Sequence, residues 1–227
     1  MESDKTKNIK DYRRYRGEIQ NDKGGNTMSY IINDEDEFNE LTIKDCSIEE
    51  SNACNVIFRD VVFKNVSFMD IDWESTEFLH VRFENCDLSN INIDKAIFHR
   101  SEFISCKLIG THLMESSMRE VLFNGCQCDY LVLGGSNLKD VTFNECRMNQ
   151  AGFSVCKMNN VQFKYCEMQR AELSGTKLKG IDLSSCIIDG INLRIEDVRG
   201  LRLSPTQAVD FSKMLGIQVM EKREGSI

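Results

Sequence analysis

Residues 58–83 read FRDVVFKNVSFMDIDWESTEFLHVRF, and the large apolar residues fall at Phe58, Phe63, Phe68, Trp73, Phe78 and Phe83, one in every five. The same step runs without insertion or deletion from Phe38 to Leu203, and only Ala53 and Cys128 are small along it. Two residues before each large position sits a second, smaller inward candidate, drawn mostly from Val, Ile, Cys, Ala, Ser and Thr. A helix repeats every 3.6 residues and a strand every 2, so neither keeps a five-residue pattern on one face. The chain must therefore turn a corner every five residues, which makes it a solenoid.

A second period, of twenty, sets the shape of that solenoid. Phe63, Phe83, Phe103, Phe123, Phe143 and Phe163 are twenty apart, with Val61, Val81, Val121, Val141 and Val161 beside them. Four pentapeptides thus make one square coil. Cys46, Cys86, Cys106, Cys126, Cys146, Cys166 and Cys186 fall in a single column, interrupted by Val66, and read as small packing residues. Ala53 stands in the column below Trp73, a small residue against the largest one, as dense packing requires.

The five-residue pattern is plain in Cys86-Asp87-Leu88-Ser89-Asn90, Ser136-Asn137-Leu138-Lys139-Asp140 and Ile181-Asp182-Leu183-Ser184-Ser185. It resembles the pentapeptide-repeat proteins, and the resemblance covers residues 36–203. It implies an all-β solenoid, a right-handed quadrilateral β-helix. Many repeats here lack the Ala and the Asp or Asn of the family's first two positions.

The ten cysteines of the 227-residue chain do not have the spacing of zinc knuckles, which bring four ligands together from close pairs. Parallel stacked thiols leave their strands in one direction and are poorly placed for disulfides. The expectation is a reduced ladder, no metal and no cofactor. No secretory signal and no apolar run of membrane-spanning length is read in the sequence, which predicts a cytoplasmic protein without a membrane partner. Residues 1–35, with the basic cluster Arg13, Arg14 and Arg16, read as an N-terminal flexible tail, and residues 36–203 as the β-helix. Glycines such as Gly110 and Gly175 fall at corner phases.

Residues 204–227 predict a cap. Ser204, Pro205 and Gln207 have the order of an N-cap, a first helical residue and a capping-box partner, so a short capping helix should follow. Its apolar face is Ala208, Phe211, Met214 and Leu215, Gly216 should end it, and Ile217-Gln218-Val219 alternates like a strand. This ending resembles that of the Qnr-type quinolone-resistance proteins, which mimic DNA. The resemblance implies a homodimer joined end to end through Phe211, Met214, Leu215 and Val219.

His80, His99 and His112 take outward phases and stand in no catalytic motif, so the sequence predicts no enzyme. Charge is the remaining signal. Residues 36–105 carry fifteen acidic and six basic side chains, whereas residues 106–203 carry eleven and twelve. Glu49, Glu50, Asp60, Asp70, Asp72, Glu74, Glu77 and Glu84 occupy non-core phases and form the expected partner-binding surface. With the Qnr-like ending, they imply a non-catalytic DNA mimic that binds DNA gyrase or topoisomerase IV, lowers the effect of quinolones and needs no direct nucleic-acid contact. The alternative is a scaffolding protein with no DNA-related partner, in which the same acids keep the rod soluble.

Overall fold

A computed structural model describes residues 20–21, 28–29, 32–214 and 216–220. Between residues 36 and 170 the chain turns at every fifth residue, and each turn residue, from Glu40 to Arg170, has a positive φ. The four pentapeptides of a coil form four flat faces, identified here by their large residues Phe63, Phe68, Trp73 and Phe78. Successive coils pair in parallel with a shift of twenty residues, as in Ile43↔Phe63, Phe63↔Phe83, Phe83↔Phe103 and Phe103↔Phe123. The result is the right-handed quadrilateral β-helix.

The corners explain how a five-residue step becomes a stable coil. Each left-handed corner turns its N–H along the rod, and Asp60, Arg100 and Glu145 donate to the carbonyls of Leu79, Arg119 and Lys164 at 2.9, 3.0 and 2.9 Å. Most corners are not glycine, although the left-handed region costs an ordinary L-residue about 1–2 kcal/mol. Asn and Asp tolerate it best and recur here, at Asn65, Asn85, Asn90 and Asp140. At Gly110 a Cβ would meet Asn90 Oδ1 at 2.6 Å, so a larger residue there would have to displace that side chain.

Inside, rings stack coil upon coil. The centroids of Phe83–Phe103, Phe103–Phe123 and Phe123–Phe143 are 4.7, 4.6 and 4.7 Å apart, the strand spacing of a β-sheet. Trp73 lies in the Ala53 column as expected, and its Nε1 donates to Ser51 Oγ at 2.8 Å. Ser51 Oγ in turn donates to the carbonyl of Ile32, and Ile32 is buried. The core therefore begins before residue 36, within the expected tail. Ile32 stands off the five-residue phase, which hid it from the sequence pattern. The pair Gln20–Asn21 and Met28–Ser29 forms a short antiparallel ladder in the same segment.

The cysteines are free thiols, and those from Cys86 to Cys186 in the column are buried. They also do more than fill space. Cys86, Cys106 and Cys126 donate to the carbonyls of Phe63, Phe83 and Phe103 at 3.4, 3.4 and 3.3 Å. Ser101, Thr111 and Thr176 do the same for Phe78, Leu88 and Phe153. Where the small inward residue is one of these, its side chain satisfies a carbonyl of the preceding coil, whereas Val61, Val81 and Ala96 at the same phase only fill space and the buried hydroxyls of Thr76 and Ser116 find no partner.

The C-terminal end follows its capping signals. Helix α1 spans Pro205–Met214, with Ser204 N–H donating to Gln207 Oε1 and Gln207 N–H to Ser204 Oγ, a complete capping box. Gly216 has a positive φ, and Gly216 and Ile217 donate back to Lys213 and Ser212, the bond pair of a Schellman ending. Two expectations change. Residues 217–220 form no strand, and Ala208 is exposed rather than on a buried face. The helix is tied to the rod chiefly by Gln207 Nε2, which donates to the carbonyls of Leu183 and Cys186 at 2.9 and 2.7 Å. Just before it the coil departs from the repeat. A 3-10 turn at Ile195–Asp197 replaces a left-handed corner and turns Asp197 inward in place of Glu196. Asp197 there accepts from Gly175 N–H and Lys177 Nζ at 2.8 and 3.0 Å. Among the described residues no helix is long and apolar enough to cross a membrane.

Two outcomes test this packing. Phe123→Ala should lower the unfolding free energy by about 3–5 kcal/mol in urea; a near-neutral result would place the ring outside the stack. Exposed Cys54 should react quickly with a thiol reagent, while buried Cys86 to Cys186 react only on unfolding. Burial pushes the Cys156 thiol up to about 11, so its neutral form favours the folded state. That contribution is complete below the unfolded thiol pKa of about 8.5 and is lost as pH climbs towards about 11. Cys156→Ser should reduce this alkaline slope in stability.

Candidate protein-binding surface

The coil assigns every expected acidic residue to a face. Glu49, Glu50, Asp70, Asp72 and Glu74 lie on the adjoining Phe68 and Trp73 faces, in consecutive coils. Asp60, Glu77 and Glu84 lie on the other two faces, so the eight do not form one surface. Between residues 46 and 95 the Phe68 and Trp73 faces carry seven carboxylates, with Asp87 and Asp94 added, against the single cation Lys95. The Phe78 and Phe63 faces over residues 36–85 set seven carboxylates against four cations, Lys44, Arg59, Lys64 and Arg82. The carboxylates are equal in number on the two sides, and it is the scarcity of cations that leaves the Phe68 and Trp73 faces the more negative, a feature that a count along the chain does not show.

Pairing separates these groups further. Glu74 meets Lys95 Nζ at 2.5 Å, Asp60 meets His80 Nδ1 at 3.1 Å, and Glu84 meets Arg82 and Lys64 at 2.6 and 3.4 Å. The Arg82 guanidinium beside Glu84 holds that carboxyl below the usual carboxylate range. Asp72 accepts from Asn92 Nδ2 at 2.8 Å, and Glu49 from Ser47 Oγ at 2.5 Å. Glu50, Asp70 and Glu77 have no ion-pair partner among the described residues. Exposed Glu49, Glu50, Asp70 and Asp72 are therefore the carboxylates available to a partner, grouped on one edge.

A basic counterpart escaped the sequence reading. Arg59, His99, Arg119, Lys139, Lys179 and Arg199 all follow the large residue of the Phe78 face by one position, and the strand register stacks Leu79, His99, Arg119 and Lys139 in line. The twenty-residue columns contain this signal, which appears only when outward positions are read as inward ones were. The rod is acidic on one side near its N-terminal end and basic on the other side towards its C-terminal end.

His80 and His99 do have carboxylate neighbours, Asp60 and Glu120, the latter at 3.9 Å. The nearby hydroxyl of Ser101 is turned inward and bonded to main-chain groups, Val81 N–H and the carbonyls of Phe78 and His99. Of the expected dimer residues, Phe211 is half-buried and Val219 is 47% exposed, while the side chain of Met214 and all of Leu215 lie outside the described residues.

The family described as the Pentapeptide repeat region matches residues 76–148 and 133–193, and this chain belongs to it. Its sequence matches no curated protein. Among solved structures, a trypsin-treated form of QnrB1, a plasmid-mediated fluoroquinolone resistance protein, is 15% identical with a TM-score of 0.41, over 86% of this chain and 100% of that one. HetL, a pentapeptide repeat protein involved in heterocyst differentiation regulation in the cyanobacterium Nostoc, is 14% identical with a TM-score of 0.40, over 78% of this chain and 86% of that one. Likeness at this level assigns no function.

Proposed function

We propose that this protein is a non-catalytic binding rod that offers its acidic N-terminal coils to a basic groove in place of DNA, and that the partner is a type II topoisomerase, DNA gyrase or topoisomerase IV. The observation that carries the reading is the one-sided edge of exposed Glu49, Glu50, Asp70 and Asp72. Stacked coils repeat charge at the strand spacing on a stiff support, and such a potential attracts and orients a basic partner. The choice of topoisomerase comes from the Qnr-like ending of the sequence, and quinolone protection is its consequence.

The test is specific to a face. Glu49→Gln, Glu50→Gln, Asp70→Asn and Asp72→Asn together should leave stability nearly unchanged, because exposed charges contribute little to it. The same variant should abolish any effect of the protein on gyrase supercoiling and on quinolone-stabilised cleavage. The combination Asp60→Asn, Glu77→Gln and Glu84→Gln, on the opposite faces, should retain the effect. A wild-type protein without influence on either assay would refute the topoisomerase assignment.

A scaffolding role without a DNA-related partner is the second reading, and the change of sign along the rod favours it. A DNA substitute would carry acid along its whole length, whereas Lys139, Lys179 and Arg199 mark the far part of the Phe78 face.

The C-terminal end is the expected dimer contact. No described side chain of α1 is buried, Ile188, Leu193, Leu201 and Leu203 of the last coils remain half-exposed, and Val209, Ile217 and Met220 are 41%, 53% and 82% exposed. A two-fold contact would cover them. Sedimentation should give a dimer at micromolar concentration, and deletion of 204–227 a monomer or an aggregate. A monomeric full chain contradicts this contact.

A further inference from the structure

At one level the ladder between coils opens. On the Phe68 and Trp73 faces it is continuous, with Met168 N–H donating to Ile187 O at 2.7 Å and Leu173 N–H to Asn192 O at 2.8 Å. On the Phe78 and Phe63 faces of the same coils, no main-chain hydrogen bond joins residues 156–165 to residues 176–185. Tyr165 N–H turns instead to Ser185 Oγ at 3.3 Å. One coil further the ladder resumes, with Gly180 donating to Gly200 O and Leu183 to Arg202 O, both at 3.0 Å. Asp197 ties Gly175 and Lys177 of the upper lip to the last coil, while Thr176 between them stays bonded to the lower coil, its Oγ1 accepting from Cys156 N–H at 2.8 Å and donating to Phe153 O, so the opening begins beyond this point.

The opening is an open-sided cavity of about 550 Å³. Its floor is apolar, made by Val161, Phe163 and Ile181, and its rim carries Lys164, Lys179 and Arg202 beside the single carboxylate Asp182. None of these three cations has an ion-pair partner among the described residues. The main-chain groups that pair at every comparable level, such as the N–H of Asp60 and Glu145, here face one another across the gap at Asn160 and Phe163 on one lip and Lys179 and Asp182 on the other.

We infer that this split is a strand-insertion site for an extended acidic segment of a partner protein, with apolar and carboxylate residues in alternation. Two facing, parallel strand edges supply the donors and acceptors that an inserted strand pairs with on both sides. Successive side chains of a strand point to opposite faces, so one set would lie on Phe163 and Ile181 while the other meets the lysines of the rim. The charge required is opposite to that of the basic groove proposed above, and the site is on other faces, so this inference stands independently of the topoisomerase reading.

The probe is a fluorescein-labelled peptide, acetyl-Glu-Val-Asp-Val-Glu-Val-amide, added to the full chain. The proposal predicts saturable binding, about tenfold weaker in the double variant Lys164→Glu, Lys179→Glu, together with slowed hydrogen exchange at the amides of Asn160, Phe163 and Asp182. Both lysines are exposed, so the variant leaves the core intact. A version N-methylated at alternate residues keeps the charge but cannot complete the ladder, and it should fail to bind. Equal binding of the methylated peptide would reduce the site to a charged surface and overturn the proposal. Absence of binding at millimolar peptide, or binding without protection of those amides, would overturn it as well.

Discussion

Everything in this molecule depends on a left-handed corner at every fifth residue. The corner alone lets a chain of L-residues close a square in twenty residues, and it turns a backbone N–H along the rod so that coils become bonded to their successors. Each non-glycine corner costs about 1–2 kcal/mol locally, and the cost recurs more than twenty times between Glu35 and Arg170. It is borne because nearly every turn also completes a hydrogen bond to the next coil and sets a large buried side chain on the one below, the stacked rings lying about 4.7 Å apart. Stability in such a rod is a sum over neighbouring coils, which is why the ladder can open between residues 156–165 and 176–185 while the rest stays in register.

The square coil and its inward columns were legible in the sequence because a five-residue apolar period has no other regular explanation. Phe123, Trp73 above Ala53, the capping box of Ser204 and Gln207 and the turn at Gly216 all stand where the pattern predicts. What the pattern concealed depends on bonds rather than on polarity. The cysteine column reads as small apolar filling, yet its thiols are donors to turn carbonyls, interchangeable with Ser101 and Thr111. Ile32 joins the core off phase, held through Ser51 and Trp73. Asp197 occupies an inward place that the phase assigns to Glu196, because a 3-10 turn can bury the shorter carboxylate against Gly175 N–H and Lys177.

The surface was legible only in part. A run of carboxylates from Asp70 to Glu77 looks continuous along the chain, but the coil sends Asp70, Asp72 and Glu74 to one side and Glu77 to another. Its charge becomes meaningful once each residue is placed by its remainder in twenty. That placement isolates the acidic edge of Glu49, Glu50, Asp70 and Asp72 and the basic column running through Arg119 and Lys139. The split between coils had no signature at all, since residues 157–164 and 177–184 keep the same period as those that pair.

Native-state hydrogen exchange tests the central claim most directly, because it reads each corner separately. The amides of Arg100, Ser105 and Glu120 sit at corners, outside the core, where exposure alone would let them exchange freely. Arg100 and Ser105 donate to Arg119 O and Asn124 O at 3.0 and 2.9 Å, so the account predicts that they exchange as slowly as the strand amides of Phe103 and Phe123, only on global opening. Fast exchange at Arg100 and Ser105 while Phe103 stays protected would contradict it, since the corners would then be loops between strands and not the bonds that join one coil to the next.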